Sequence, residues 1–328
     1  MAAESVAAEA VAAASVAPLR VGVVGTGALG RHHVRILAEL PEADLVGIVD
    51  LRADVARQLA AEHGTVALPT AAELAGRAEA VVVAVPTVDH HAVAMPLLAA
   101  GLHVLVEKPI APGLGEADAL VAAAGDRVLA VGHVEFYNPA VQALMAVGEL
   151  PGYVEIERMA VFKPRSLDVD VVLDLMIHDL QILQAIDRSA IREVRATGVR
   201  VLSERIDIAN VRLEFESGCV ANLTASRVSA EQTRRLRVFL HRSYYSLDYH
   251  AQSIQGYELV GDGGDRAIRP LVLPVEPAEP LKVELRHFLA ACRGESVPLV
   301  DGVQGRRALA TALEIRSAIE ARRGEGSP

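Results

Sequence analysis

A glycine-rich turn is the feature that most restricts the fold of this chain. The stretch VVGTGALGRHH, Val23 to His33, sets Gly25, Gly27 and Gly30 in the spacing Gly-x-Gly-x-x-Gly, between a β-branched run (LRVGVVG) and a helical pattern. In a strand–turn–helix setting each glycine has its own duty: a tight turn at Gly25, close approach of the main chain to a pyrophosphate at Gly27, and close helix–strand packing at Gly30. The helix start, with Ala28 and Leu29, then offers unpaired N–H groups and a positive dipole end to phosphates.

Four further runs, ADLVGIVD, AVVVAVP, HVLVEKP and VLAVGHVEF, alternate with helical stretches near 29–39, 53–63, 90–100 and 116–124. This rhythm predicts a parallel sheet with crossover helices. The second strand ends at Asp50, close to the offset at which an acidic residue accepts a ribose 2′-hydroxyl, which favours NAD over NADP. Arg52 pulls the other way, since a guanidinium would neutralise a 2′-phosphate. A purely structural glycine turn is the alternative reading.

With 328 residues the chain exceeds what one core usually fills, so two domains are expected. The texture divides it into an Ala-rich tail over 1–18, a Rossmann dinucleotide-binding domain over 19–137, a substrate-binding and oligomerisation domain over 138–323, and a frayed end over 324–328. Beyond Asn138 comes an apolar helix over 171–186, then long period-two segments over 206–228 and 234–250, and helices near 282–292 and 302–322. Period-two alternation implies an antiparallel sheet with one covered face. The expected fold class is therefore α/β followed by α+β with a largely antiparallel sheet.

A net charge of −10 argues against a nucleic-acid partner, which would need a concentrated basic face. No apolar run approaches the ~20 residues of a membrane span, and Glu4 and Glu9 stand where a secretory signal would be basic. Cys219 and Cys292 build no disulfide framework, so a reducing cytoplasm is expected.

Two stretches carry candidate chemistry. VEKPI ends the fourth strand, and open parallel sheets bind ligands beyond the carboxyl ends of their strands, so Lys108 should face the cleft. A solvated Glu107–Lys108 charge pair is the alternative. In DVVLDLMIHDLQILQAI, Asp170, Asp174, His178 and Gln181 fall at steps of four, four and three, one polar stripe on an otherwise apolar helix. Asp174 and His178, one turn apart, could form a carboxylate–imidazole pair in which the carboxylate fixes the ring; a structural histidine is the alternative. The doublets His32-His33 and His90-His91 have no zinc-ligand spacing, and no metal is expected.

These stretches, with AVPTVDHHAVAMPLLAAGLHVLVEKPI, VGHVEFYNPAV and PLKVELRHFLAACRGESVPLVDGVQGRRAL, resemble the Gfo/Idh/MocA oxidoreductases along nearly the whole chain after the tail. The resemblance implies an NAD(P)-dependent dehydrogenase acting on CH–OH groups of sugars or cyclitols. It implies that Lys108 bonds nicotinamide ribose and the reacting hydroxyl and that Pro109 follows a cis bond. By the same resemblance Pro86 and His90 line the nicotinamide end, Glu107 contacts cofactor, and Asp174 and His178 bind substrate and catalyse. With FKPRSLD before it, the helix is most similar to the branch that oxidises the 3-hydroxyl of UDP-N-acetylglucosamine, whose 3-oxo product feeds an aminotransferase. Lys163 and Arg165 would meet the anionic part of such a substrate. Phe136 and Gln181 stand where many relatives have Arg and Asp. An inositol or free-sugar dehydrogenase, or a non-catalytic NAD(H) sensor, are the other readings. The family also implies a homodimer or homotetramer formed through the second sheet.

Overall fold

The computed structural model describes residues 17–162 and 169–325. The first sheet is parallel, in the order β2-β1-β3-β4-β5, from β1 (Leu19–Val24), β2 (Ala43–Val49), β3 (Ala80–Val83), β4 (His103–Glu107) and β5 (Leu129–Gly132). Helices α1 (Gly30–Glu39), α2 (Ala53–Glu62), α3 (His90–Ala99) and α4 (Leu114–Ala124) follow the first four strands. Strands and helices match the sequence reading. Every residue of β3 is buried, as befits a strand covered on both faces. The connections diverge between β1 and β3, which opens a crevice at the carboxyl edge of the sheet.

The second sheet has the order β13-β12-β11-β10-β6-β9-β8-β7. It comprises β6 (Tyr153–Val161), β7 (Ile191–Val199), β8 (Ile208–Phe215), β9 (Val220–Ser229), β10 (Thr233–Phe239), β11 (Ser243–Asp248), β12 (Ser253–Val260) and β13 (Ala267–Val272). All neighbours run antiparallel except β6 and β9. The short α5 (Pro139–Met145) enters this half, its first turn capped by the Asn138 side chain. Inward residues pack beneath α6 (Ile177–Ile186) and α8 (Gly302–Glu325). The opposite face carries a row of rings, Tyr153, Phe239, Tyr244 and Tyr257, with neighbouring centroids 5.5–5.9 Å apart.

Two features depart from the sequence reading. The helix expected over 171–186 is not uniformly α: Val172–Met176 form a π-helical turn. Asp170 is not part of its stripe but caps it, accepting the N–H groups of Val172 and Leu173 and pairing with Arg316 at 2.7 Å. The second departure is α7 (Pro280–Cys292). Its Leu281, Leu285, Phe288 and Leu289 pack against the first sheet with Val21, Val23, Ile36 and Leu105, although the sequence grouped it with the second half. The reason is amphipathicity: the apolar face of α7 completes a sheet face that α1 covers only in part. The chain then returns to β5, where Val131 N–H donates to Val300 O at 3.0 Å. Among the described residues no helix is long and apolar enough to cross a membrane.

Asp207, fully buried before β8, holds the loop that precedes it. Its carboxylate accepts from the N–H groups of Val201, Leu202 and Ser203 and from the Ser203 hydroxyl, at 2.6–2.9 Å. Burial alone would raise its pKa, but these donors outweigh it and hold the group at about 2. A depressed carboxyl stabilises the fold above its unfolded pKa, and that contribution disappears as pH falls through 2. Asp207→Asn should cost about 2 kcal/mol at pH 7. Urea titrations should show the gap from wild type closing toward pH 2; a gap independent of pH would exclude this account.

Candidate active site

Gly25, Asp50, Pro86, Lys108 and His133 each follow the carboxyl end of a strand of the first sheet, so its topology brings them to one edge. At the turn, Gly25 has φ +90°, and a Cβ there would lie 2.5 Å from Ala84 O. A Cβ on Gly30 would strike Gly25 O at 2.0 Å, whereas one on Gly27 would enter open space. No side chain caps α1 at Leu29, which is 39% exposed and follows Ala28 in the turn. A bare turn and an uncapped helix start fit the pyrophosphate of a dinucleotide. Asp50 accepts from Thr26 N–H and Thr26 Oγ1, both at 2.7 Å, and from Arg52 N–H at 2.9 Å. Burial pushes its pKa up, but these donors and the Arg52 charge pull it below the usual carboxylate range. It is a fixed anion where an adenosine ribose would lie.

Lys108 and Glu107 are not a solvated pair. Glu107 turns inward and lies 2.7 Å from His33 Nε2, with both side chains nearly sealed from solvent. A Cβ on Gly132 would come within 2.8 Å of the Glu107 carboxylate, so a side chain there would push Glu107 out of its place. Behind it, Glu284 of α7 is buried with neither oxygen partnered; burial and then the nearby Glu107 push its pKa well above the usual carboxylate range. Thus Glu107 sits in the wall between α1 and α7. His90 braces the same loop, with Nδ1 2.9 Å from Pro109 O and Nε2 3.0 Å from Val85 O, next to Pro86. Burial lowers its pKa, and a neutral ring can donate to just one of these carbonyls. The Lys108–Pro109 peptide is cis.

Lys108 reaches across the crevice. Its Nζ donates to Asp174 O at 2.6 Å and to Asp174 Oδ1 at 3.2 Å, joining residues from the two halves of the chain. The contact falls within the π-helical turn, and a side chain inserted into the main-chain ladder is a recognised companion of such turns. The Asp174 carboxylate therefore pairs with Lys108, and the carboxylate–imidazole pair expected from the one-turn spacing does not form. His178 instead packs against His133, ring centroids 5.6 Å apart and planes at 87°. Burial, then the Lys108 charge, holds His178 well below its ordinary pKa and takes His133 down to about 3. Both rings are neutral at pH 7.

His133 was not among the residues singled out in the sequence, although its place just after the fifth strand marks it by the same rule that marks Lys108. Also missed was a buried charge network under α6. Arg158 on β6 donates to Asp179 at 2.8 and 2.6 Å and to Glu135 at 2.8 Å, and lies 4.9 Å from the Tyr249 ring centroid. Arg234 adds a 2.9 Å bond to Glu135. Lys163 and Arg165 lie outside the described residues. A separate cavity of about 710 Å³, lined by Phe136, Gln142, Gln181, Ile186 and Arg307 among others, flanks α6 and includes none of Lys108, Asp174 or His178.

Comparison with known proteins agrees with this geometry. The oxidoreductase family with an NAD-binding Rossmann fold, Gfo/Idh/MocA, matches residues 19–133, and the Gfo/Idh/MocA C-terminal domain matches residues 151–245. UDP-N-acetylglucosamine 3-dehydrogenase from Acidithiobacillus ferrooxidans is 40% identical over 303 residues, 90% of this chain and 96% of that protein. A solved structure of it has a TM-score of 0.87 at 39% identity, covering 93% of this chain and 99% of the other. Myo-inositol 2-dehydrogenase from Thermotoga maritima is 26% identical over 321 residues, 91% of this chain and 96% of that protein. With both halves matched and the glycine turn, Lys108 and the His178 helix meeting at one crevice, this chain belongs to the Gfo/Idh/MocA oxidoreductase family.

Proposed function

We propose that this protein oxidises the 3-hydroxyl of UDP-N-acetylglucosamine to a ketone, with NAD as its dinucleotide. The observation that carries this reading is the contact of Lys108 with Asp174 beside His178, in a chain 40% identical to a UDP-N-acetylglucosamine 3-dehydrogenase. A bound oxidised nicotinamide supplies the hydride acceptor. The chain's own residues do the rest. Gly25, Gly27, Ala28, Leu29 and Gly30 cradle the pyrophosphate, Asp50 and Arg52 meet the adenosine ribose, and Pro86 and His90 shape the nicotinamide end. Glu107 braces that wall through His33. His178 takes the proton of the sugar hydroxyl, and Lys108 steadies the alkoxide that develops. Asp174 holds the Lys108 ammonium in place and bonds the sugar. Lys163 and Arg165 are the candidates for the diphosphate.

The nucleotide half runs over 19–137 and the substrate half from 138, with α7 lent back to the first. The aromatic face of the second sheet is the proposed homodimer or homotetramer surface, and the cytoplasm the proposed compartment. The test is incubation of purified protein with NAD and a panel of UDP-sugars, free sugars and cyclitols, following NADH absorbance and identifying the product by mass. Oxidation of a cyclitol alone would favour the second reading, an inositol dehydrogenase like the Thermotoga relative. NADH binding with no oxidation of any compound would leave a sensor.

The carboxylate of Asp50 should repel a 2′-phosphate. Asp50→Ser is expected to narrow the preference for NAD over NADP by about 10–100-fold in kcat/KM, the equivalent of about 1.4–2.8 kcal/mol. An unchanged ratio would assign cofactor choice elsewhere.

A further inference from the structure

The Asp174 carboxylate, bound to Lys108, does not fix the plane of the His178 ring. What meets that ring is His133, with centroids 5.6 Å apart and planes at 87°. Perpendicular packing is an arrangement that aromatic rings prefer, because a positive edge meets a negative face. It also restricts rotation of the ring about its Cβ–Cγ bond, and that rotation decides where the ring nitrogens point.

Both rings stand on fixed supports. His133 follows β5, its N–H donating to Val131 O at 2.7 Å and its carbonyl accepting from Phe136 N–H at 2.9 Å, so the main chain is held on either side of the ring. His178 stands on the regular α-helical part of α6. A charged bridge then sets the spacing between the two supports. Glu135, two residues after His133, accepts from Arg158 at 2.8 Å, and Arg158 donates to Asp179, the residue after His178, at 2.8 and 2.6 Å.

His133 is fully buried and neither of its ring nitrogens has a partner among the described residues, whereas His178 keeps 8% of its surface open. A sealed ring does not touch the sugar; what it offers is its shape. Burial, then the Lys108 charge, holds the His133 pKa at about 3, so the ring adds no charge beside His178 at neutral pH. We propose that His133 is a positioning residue for His178: its ring backs the imidazole at right angles and keeps the proton-accepting nitrogen turned into the crevice. The proposal rests on His178 being the base in the function proposed above.

The test combines kinetics with carbon-13 NMR of the histidine rings in enzyme saturated with NADH, the His178 signals being identified by their loss in His178→Asn. His133→Leu fills the space without a flat ring. It should lower kcat about tenfold or more, with KM and NADH affinity changed less than about threefold, and should give the His178 ring nanosecond mobility that wild type lacks. His133→Phe keeps the flat ring and leaves no polar atom unpaired. It should hold kcat within about threefold of wild type, keep the His178 ring rigid, and melt no lower than wild type. His133→Leu with wild-type kcat, with a loss confined to KM, or with His178 as rigid as before, overturns the proposal. So does His133→Phe as slow as His133→Leu, which would assign the work to the ring nitrogens of His133. If no sugar is oxidised while the mobility of the His178 ring follows residue 133, the proposed substrate falls and the pairing stands.

Discussion

Lys108→Met is expected to reduce sugar oxidation about a thousandfold while NADH affinity stays within about threefold. The ammonium is placed for electrostatic work: its side chain is 17% exposed, it lies 3.2 Å from Asp174 Oδ1, and a low-dielectric crevice makes such a charge worth far more than in water. The loss should appear in kcat more than in KM, because the alkoxide it steadies exists only as the hydride departs. Methionine fills the same space without a charge. Stopped-flow single turnovers with fluorescence titration of NADH would separate the two effects. Turnover at the wild-type rate would remove Lys108 from the chemistry.

Arg158→Met should have the largest effect on stability. It strips Asp179 of both its guanidinium bonds and Glu135 of one of two, within the core under α6. Breaking a buried pair from one side typically costs about 3–5 kcal/mol, or a fall of roughly 4–7 °C in Tm for a chain of this size. The double variant Arg158→Met with Asp179→Leu should regain much of that loss, since the expensive state is a lone buried charge. Calorimetry of both variants would decide. A double variant no more stable than the single one would mean that packing against Tyr249, and not charge, is what Arg158 contributes.

The parallel sheet was legible because β-branched runs and alanine-rich helices alternate without interruption, and the glycine turn fell where a strand hands over to a helix. The second sheet was read in part. Its β8 and β9 alternate cleanly, but β6 does not announce itself, since its third inward position holds Arg158 in place of an apolar residue. β13 has almost no covered side chain to show a period. The helix of Asp174 and His178 was placed correctly, yet periodicity alone assumes a uniform 3.6 residues per turn and cannot announce a π-helical turn. Partners far apart in the chain were out of reach: nothing in VEKPI says that Glu107 seeks His33 or that Lys108 seeks Asp174.

The docking of α7 has a consequence for biosynthesis. β5 ends at residue 132 and α7 begins only at 280, so a ribosome must make the entire eight-stranded sheet before Phe288 and Leu289 can cover the strands at the amino-terminal end. A nascent chain halted after β5 would expose Val21, Val23 and Leu105 on one side of an otherwise finished layer. The nucleotide-binding half is thus the first to be synthesised and among the last to be completed, and until α7 emerges its uncovered flank is a natural target for chaperones.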